Sequence, residues 1–194
     1  MIPFIGNIEI GYWMVPLFIF AIVATSNAVN ISDGLDGLAG GLLSAAFGAF
    51  GIIALVQNQH NLAVFCFTVL GALLAYLWFN VYPARFFMGD VGSFAWGTTL
   101  GVVAMLTNSL LLLPVIGLIF VIEAGSSAIQ IFSKKVFKRK IFISAPIHHH
   151  LEAIGWKEET IVMRLWLLGM ILAVVGVIFS VSSIGTYAAN LIAG

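Results

Sequence analysis

Long apolar stretches, broken only by short polar gaps, leave this chain few ways to fold. Six runs, at about 12–29, 38–56, 62–81, 92–107, 110–132 and 163–187, approach the roughly 20 residues that an α-helix needs to cross a bilayer core. The fourth is the shortest. Charged residues make up 8% of the chain, about a third of what a soluble domain carries. The alternating pattern of a membrane β-barrel is absent, so backbone groups in lipid must be satisfied inside helices. The sequence therefore predicts an all-α fold: a polytopic transmembrane helical bundle of about six spans, forming a single membrane domain over residues 1–194.

The few charges are segregated. Arg85, Lys134, Lys135, Lys138, Arg139, Lys140, Lys157 and Arg164 follow the third and fifth runs, and alternation puts Asp33 and Asp36 on the same side. The opposite gaps, Gln57 to Asn61 and Thr107 to Ser109, carry no formal charge. The positive-inside rule makes loops at about 30–37, 82–92 and 133–162 cytoplasmic and both termini extracytoplasmic. An outside N-terminus is awkward for a chain with no basic residue before Arg85 and no signal peptide, so helices preceding this segment are expected. A net charge of zero gives no reason to expect nucleic acid. The lone Cys66 excludes an internal disulfide and reads as an apolar packer.

Three polar strings carry the candidate chemistry. The first runs Asn27-Ala-Val-Asn30-Ile-Ser-Asp33-Gly-Leu-Asp36-Gly-Leu. If helical, its three-residue spacing puts Asn30, Asp33 and Asp36 on an arc of about 120°. Carboxylates so close repel unless one is neutralised or a cation lies between them; the plain alternative is a capped, solvated helix end. The second is Phe79-Asn80-Val-Tyr82-Pro83-Ala-Arg85-Phe86-Phe87-Met88-Gly89-Asp90-Val-Gly92-Ser93. Asp90 offers a hard oxygen to Mg²⁺, and Phe86 or Phe87 a ring to a nucleobase, against a plain reading as helix cap and interfacial belt. The third is Ala145-Pro146-Ile147-His148-His149-His150-Leu-Glu152. It lacks the spacing of a preformed zinc site but can donate to phosphate oxygens, unless it is simply a surface loop. The basic run from Lys134 to Lys140 anchors topology or attracts an anionic headgroup. Glu123 is an intramembrane acid: either functional, or part of a polar stripe with Ser126, Ser127 and Gln130.

Together these strings resemble the phospho-N-acetylmuramoyl-pentapeptide transferase branch of the polyprenyl-phosphate N-acetylhexosamine-1-phosphate transferases. The first two strings are shared across that superfamily; Pro146 to His150 followed by Gly155-Trp156 points to the branch. The resemblance implies a bacterial cytoplasmic-membrane enzyme with its active face inside. It would transfer phospho-MurNAc-pentapeptide from its UDP carrier to undecaprenyl phosphate, giving lipid I and UMP, with Mg²⁺ as cofactor. Carried over residue by residue, Asp90 is the essential metal-binding aspartate and Asn30 a further metal contact. Asp33, His148 and His149 are catalytic. Asn30, Asp36, Phe87 and His150 bind substrate, with Asp36 and Phe87 at the uracil end.

The resemblance covers only the last six of about ten family spans, and the family's adjacent Asp-Asp pair is not in this sequence. A missing N-terminal half, an inactive isolated chain and a homo-oligomer are all compatible with that pattern. Another sugar-1-phosphate transferase, a membrane transport module and a non-catalytic remnant that binds lipid or partners are the competing readings. Transporters place their sites near the bilayer midplane, whereas these acids cluster at helix ends.

Overall fold

The computed structural model describes residues 11–193, with side chains through Gly185. Eight α-helices follow one another among the described residues: α1 Met14–Ser32, α2 Leu38–Val56, α3 His60–Asn80, α4 Gly89–Leu106, α5 Leu113–Ile116, α6 Leu118–Val136, α7 Ile147–Ala153 and α8 Glu158–Ala193. Four helical stretches are long and apolar enough to cross a membrane: Gly11–Ser32, Leu38–Val56, His60–Asn80 and Glu158–Gly185. The bent pair Leu110–Ile116 and Leu118–Val136 would make a fifth. The expectation of about six spans is thus met only to four or five, because α4 is an 18-residue helix diluted by Asp90, Ser93, Thr98, Thr99 and four glycines. The extracytoplasmic placement of the N-terminus concerns residues before 11, which lie outside the described residues.

Helix α2 is the central post, with α3, α4 and α8 packed around it. Leu38, Leu43, Phe47, Phe50 and Ile53 on it are fully buried. Burying a large apolar side chain contributes about 1.5–3 kcal/mol in water; in lipid that drive is absent and close packing takes over. Helices α1 and α4 show how close. A methyl at Gly97 would lie 2.7 Å from the Ser26 Cα and 2.9 Å from the Thr25 carbonyl oxygen. Apolar side chains on the outer faces of α1, α3 and α8, such as Phe20, Leu74 and Leu167, remain exposed, as a lipid-facing surface requires.

The expected fifth span is not one straight helix. It bends by 80° at Gly117, whose φ of −97° and ψ of 27° are not helical. Pro114 and Gly117 lie inside this stretch, but both residues are tolerated within membrane spans, so the sequence reads as one run. The polar stripe of α6 then gathers the following chain. Gln130 accepts from the Ile141 and Phe142 N–H groups and donates to the Phe142 carbonyl, and Ser133 donates to the Arg139 carbonyl.

Candidate active site

The three strings meet at one end of the bundle. Helix α1 stops at Ser32, and Asp33 to Gly37 form a tight turn into α2. Gly37 takes φ +79°, which a side chain would resist. The expected helical arc of Asn30, Asp33 and Asp36 is therefore interrupted after Asn30, and the three side chains have different surroundings. Asn30 reaches across to α4: its Nδ2 donates to Asp90 Oδ1 at 3.0 Å and to Ser93 Oγ at 2.9 Å. Asp33 is half-buried at the turn, and its pKa is pushed up to about 6, first by burial and then by the charge of Asp90. Asp36 faces the loop before α4, where its Oδ2 accepts from the Ala84 N–H at 2.9 Å.

Asp90 is not the cap of α4. Met88 holds that position, and Asp90 lies exposed in the first turn, where the helix dipole favours an anion. Its carboxylate is turned toward Asn30 rather than back onto its own helix. Of the two phenylalanines before it, Phe86 packs on Tyr76 and Phe79, with ring centroids 5.3 and 5.9 Å apart. Phe87 is 70% exposed and presents its ring outward.

The histidine string is helical, contrary to the surface-loop alternative. Pro146 is the extended residue before α7, whose first turn holds all three imidazoles. His148 is fully buried, with Nδ1 2.8 Å from Glu123 Oε2. A methyl at Gly34 would lie 2.5 Å from its Nε2, so the ring is packed against the Asp33 turn. His149 keeps 44% of its side chain exposed and pairs with Glu152 at 2.6 Å. His150 turns away: its Nδ1 accepts from the Ile143 N–H at 3.2 Å, and its ring packs edge-on against Phe142.

Several residues that hold the site in shape escaped the sequence reading. Glu158, at the start of α8, accepts from the Asp36 N–H at 2.8 Å. Asn80 accepts from the Gly37 N–H at 3.1 Å and donates to the Phe86 carbonyl at 3.0 Å, tying the first string to the second. Trp166 Nε1 donates to the Gly37 carbonyl at 3.1 Å. Asn80, with Tyr82 and Pro83 just beyond it, was visible as a polar residue ending an apolar run. Nothing local marked Trp166, whose indole fits only because Gly41 has no side chain.

Residues 1–108, which hold the first two strings, match the family described as glycosyl transferase family 4. The chain belongs to glycosyl transferase family 4. Three relatives, each named phospho-N-acetylmuramoyl-pentapeptide-transferase, resemble it over most of its length. The protein from Chloroflexus aurantiacus is 50% identical over 184 residues, covering 91% of this chain and 50% of the relative. That from Levilactobacillus brevis is 49% identical over 176 residues, covering 91% and 54%. The one from Geobacillus kaustophilus is 45% identical over 175 residues, covering 90% and 54%. This family 4 chain thus spans about half the length of the curated relatives it matches. With its apolar helices and bacterial relatives, it is a bacterial membrane protein.

Proposed function

We propose that this cleft is part of the active site of a phospho-N-acetylmuramoyl-pentapeptide transferase, set at the cytoplasmic face of a multi-pass protein in the bacterial inner membrane. The observation that carries the reading is the Asn30–Asp90 hydrogen bond. It brings two acidic strings from separate helices to one point, beside a third string rich in imidazole. The names of the relatives support a phospho-N-acetylmuramoyl-pentapeptide group as what is transferred; the proposal takes UDP-MurNAc-pentapeptide as donor and undecaprenyl phosphate as lipid acceptor, with lipid I and UMP as products.

The donor set suits Mg²⁺. Asp33, Asp90 and the Oδ1 of Asn30 are hard oxygens. Among the described residues, no three His, Cys, Asp or Glu side chains converge to hold a metal. Mg²⁺ typically takes one or two carboxylates and completes its shell with water and substrate phosphates, so the set is adequate. Bound there, Mg²⁺ would neutralise phosphate charge and act as a Lewis acid.

The chain's own residues do the positioning on which phosphoryl transfer depends. Asn30 orients the Asp90 carboxylate, and Asp33 adds a second negative group to the cleft. Asp36 and the exposed ring of Phe87 hold the uracil end, the ring by stacking. His149 donates to substrate phosphate oxygens, and His150 borders the sugar. A lipid phosphate oxygen attacks the β-phosphorus, the bond to UMP breaks, and UMP leaves with the electron pair. The relatives are about twice as long as the matched region, so the proposal includes further helices and an Asp-Asp pair supplied from outside this segment.

Release of UMP from radiolabelled UDP-MurNAc-pentapeptide tests the reading. The assay uses the chain alone and the chain co-expressed with the family's preceding spans. Lipid I that forms in the second mixture and disappears with Asp90→Asn supports it. Full turnover with Asp90→Asn refutes it. The transport reading is weaker, since Asp33, Asp36 and Asp90 all lie at one end of the bundle rather than along a path through it.

A further inference from the structure

We infer that Glu123 is a positioning residue: it holds His148 as the Nδ1–H tautomer, with a bare Nε2 packed against Gly34, so that the imidazole props the turn carrying Asp33. The inference deepens the transferase reading and rests on it for its kinetic consequence. Glu123 and His148 are both fully buried, so each polar group gains from a hydrogen-bond partner. Glu123 Oε2 faces the His148 backbone N–H at 3.4 Å and Nδ1 at 2.8 Å. A backbone N–H can only donate, so Oε2 accepts from it, and an ionised carboxylate accepts the second bond as well when the shared proton sits on Nδ1. Nε2 has no hydrogen-bond partner and lies where a Gly34 Cβ would approach to 2.5 Å. A bare nitrogen tolerates that contact with the turn; a buried N–H with no acceptor would not.

This separates the neighbouring imidazoles by role. His149 is exposed enough to touch a substrate. His148 acts through the Gly34 turn, and Glu123 acts through His148. The carboxylate comes from α6, on the C-terminal side of the bend at Gly117.

Selective ¹⁵N labelling of histidine in the full chain, in detergent micelles, reads the tautomer by NMR without any need for turnover. A His148 signal protonated at Nδ1 alone is expected. Glu123→Gln should mix the tautomers, and Glu123→Asp should restore the wild-type pattern in part. In chain supplemented to turn over, Glu123→Gln should lower kcat by at least about tenfold, with KM for the nucleotide sugar changed less than about twofold, the scale seen when a group orienting another is lost. A proton on Nε2 in the wild-type chain overturns the inference whether or not the protein turns over. Unchanged kcat in a Glu123→Gln protein with altered tautomers overturns it as well. A chain that never yields lipid I but has the expected tautomer contradicts the transferase reading and leaves the Glu123–His148 geometry supported.

Discussion

At the uncharged end of the bundle, side chains spend their polarity on neighbouring turns. Gln57 donates to the Thr107 carbonyl at 2.9 Å, Gln59 to the Leu106 carbonyl at 3.3 Å, and Ser109 to the Thr107 carbonyl at 3.0 Å. These bonds join the α2–α3 turn to the one after α4 and close that end. The charged end uses the same device at Asn80, Asp36, Glu158 and Trp166, but it keeps more. Asp33 and Asp90 lie within reach of each other's charge. At the uncharged end these bonds serve the turns they join; at the charged end Asp33 and Asp90 are held together against their mutual repulsion, and that is where a ligand belongs.

The sharpest way to break this contrast is Asp90→Asn. The cation-binding role proposed for Asp90 predicts a fall in lipid I formation of about 10³-fold, with unchanged circular dichroism. Gly97→Ala comes next, because its methyl meets α1 backbone rather than a flexible side chain. Forcing α1 from α4 should cost about 1–3 kcal/mol in urea or thermal unfolding and should also weaken nucleotide binding, by moving Asn30 from Asp90.

Asp33→Asn should do the reverse to stability. The folded pKa of Asp33 is about 6 against 3.8 for the ordinary group, so the folded protein binds the proton more tightly. Its stabilising contribution is complete below pH 3.8 and is lost as pH rises through 6. In metal-free buffer the variant should therefore melt higher than wild type at pH 7.5, by about 2–4 °C, and gain nothing at pH 3.5. Activity should fall in the same variant. Gln57→Ala should give the smallest effect: a loss of about 1 kcal/mol for a broken hydrogen bond, with kcat within about twofold of wild type.

Much of this was readable in the residues. The six apolar runs located α1, α2, α3, α4, α6 and α8, and charge segregation placed the three strings at one end. Side-chain assignments were less accessible. The spacing of Asn30, Asp33 and Asp36 implied one helical face, but Gly34 and Gly37 end the helix and redirect Asp36 to Ala84. Nothing local told which of the three adjacent histidines would be enclosed: one is buried, one exposed and one turned onto Phe142. Glu123 read either as a functional intramembrane acid or as part of a polar stripe on its own helix, because the 25 residues separating it from His148 hide the contact. Polar positions are visible locally; which of them meet is decided by helix packing at distances a one-dimensional pattern does not encode.

Mn²⁺ binding followed by electron paramagnetic resonance, with UMP present, addresses the cleft itself, because the ion reports on its ligands whether or not turnover occurs. Wild-type chain should bind Mn²⁺ at least about tenfold more tightly than either Asp33→Asn or Asp90→Asn, the loss expected when a group supporting a metal site is removed. Equal affinity in all three proteins would mean that Asp33 and Asp90 share no cation, and the account of the charged end would be wrong.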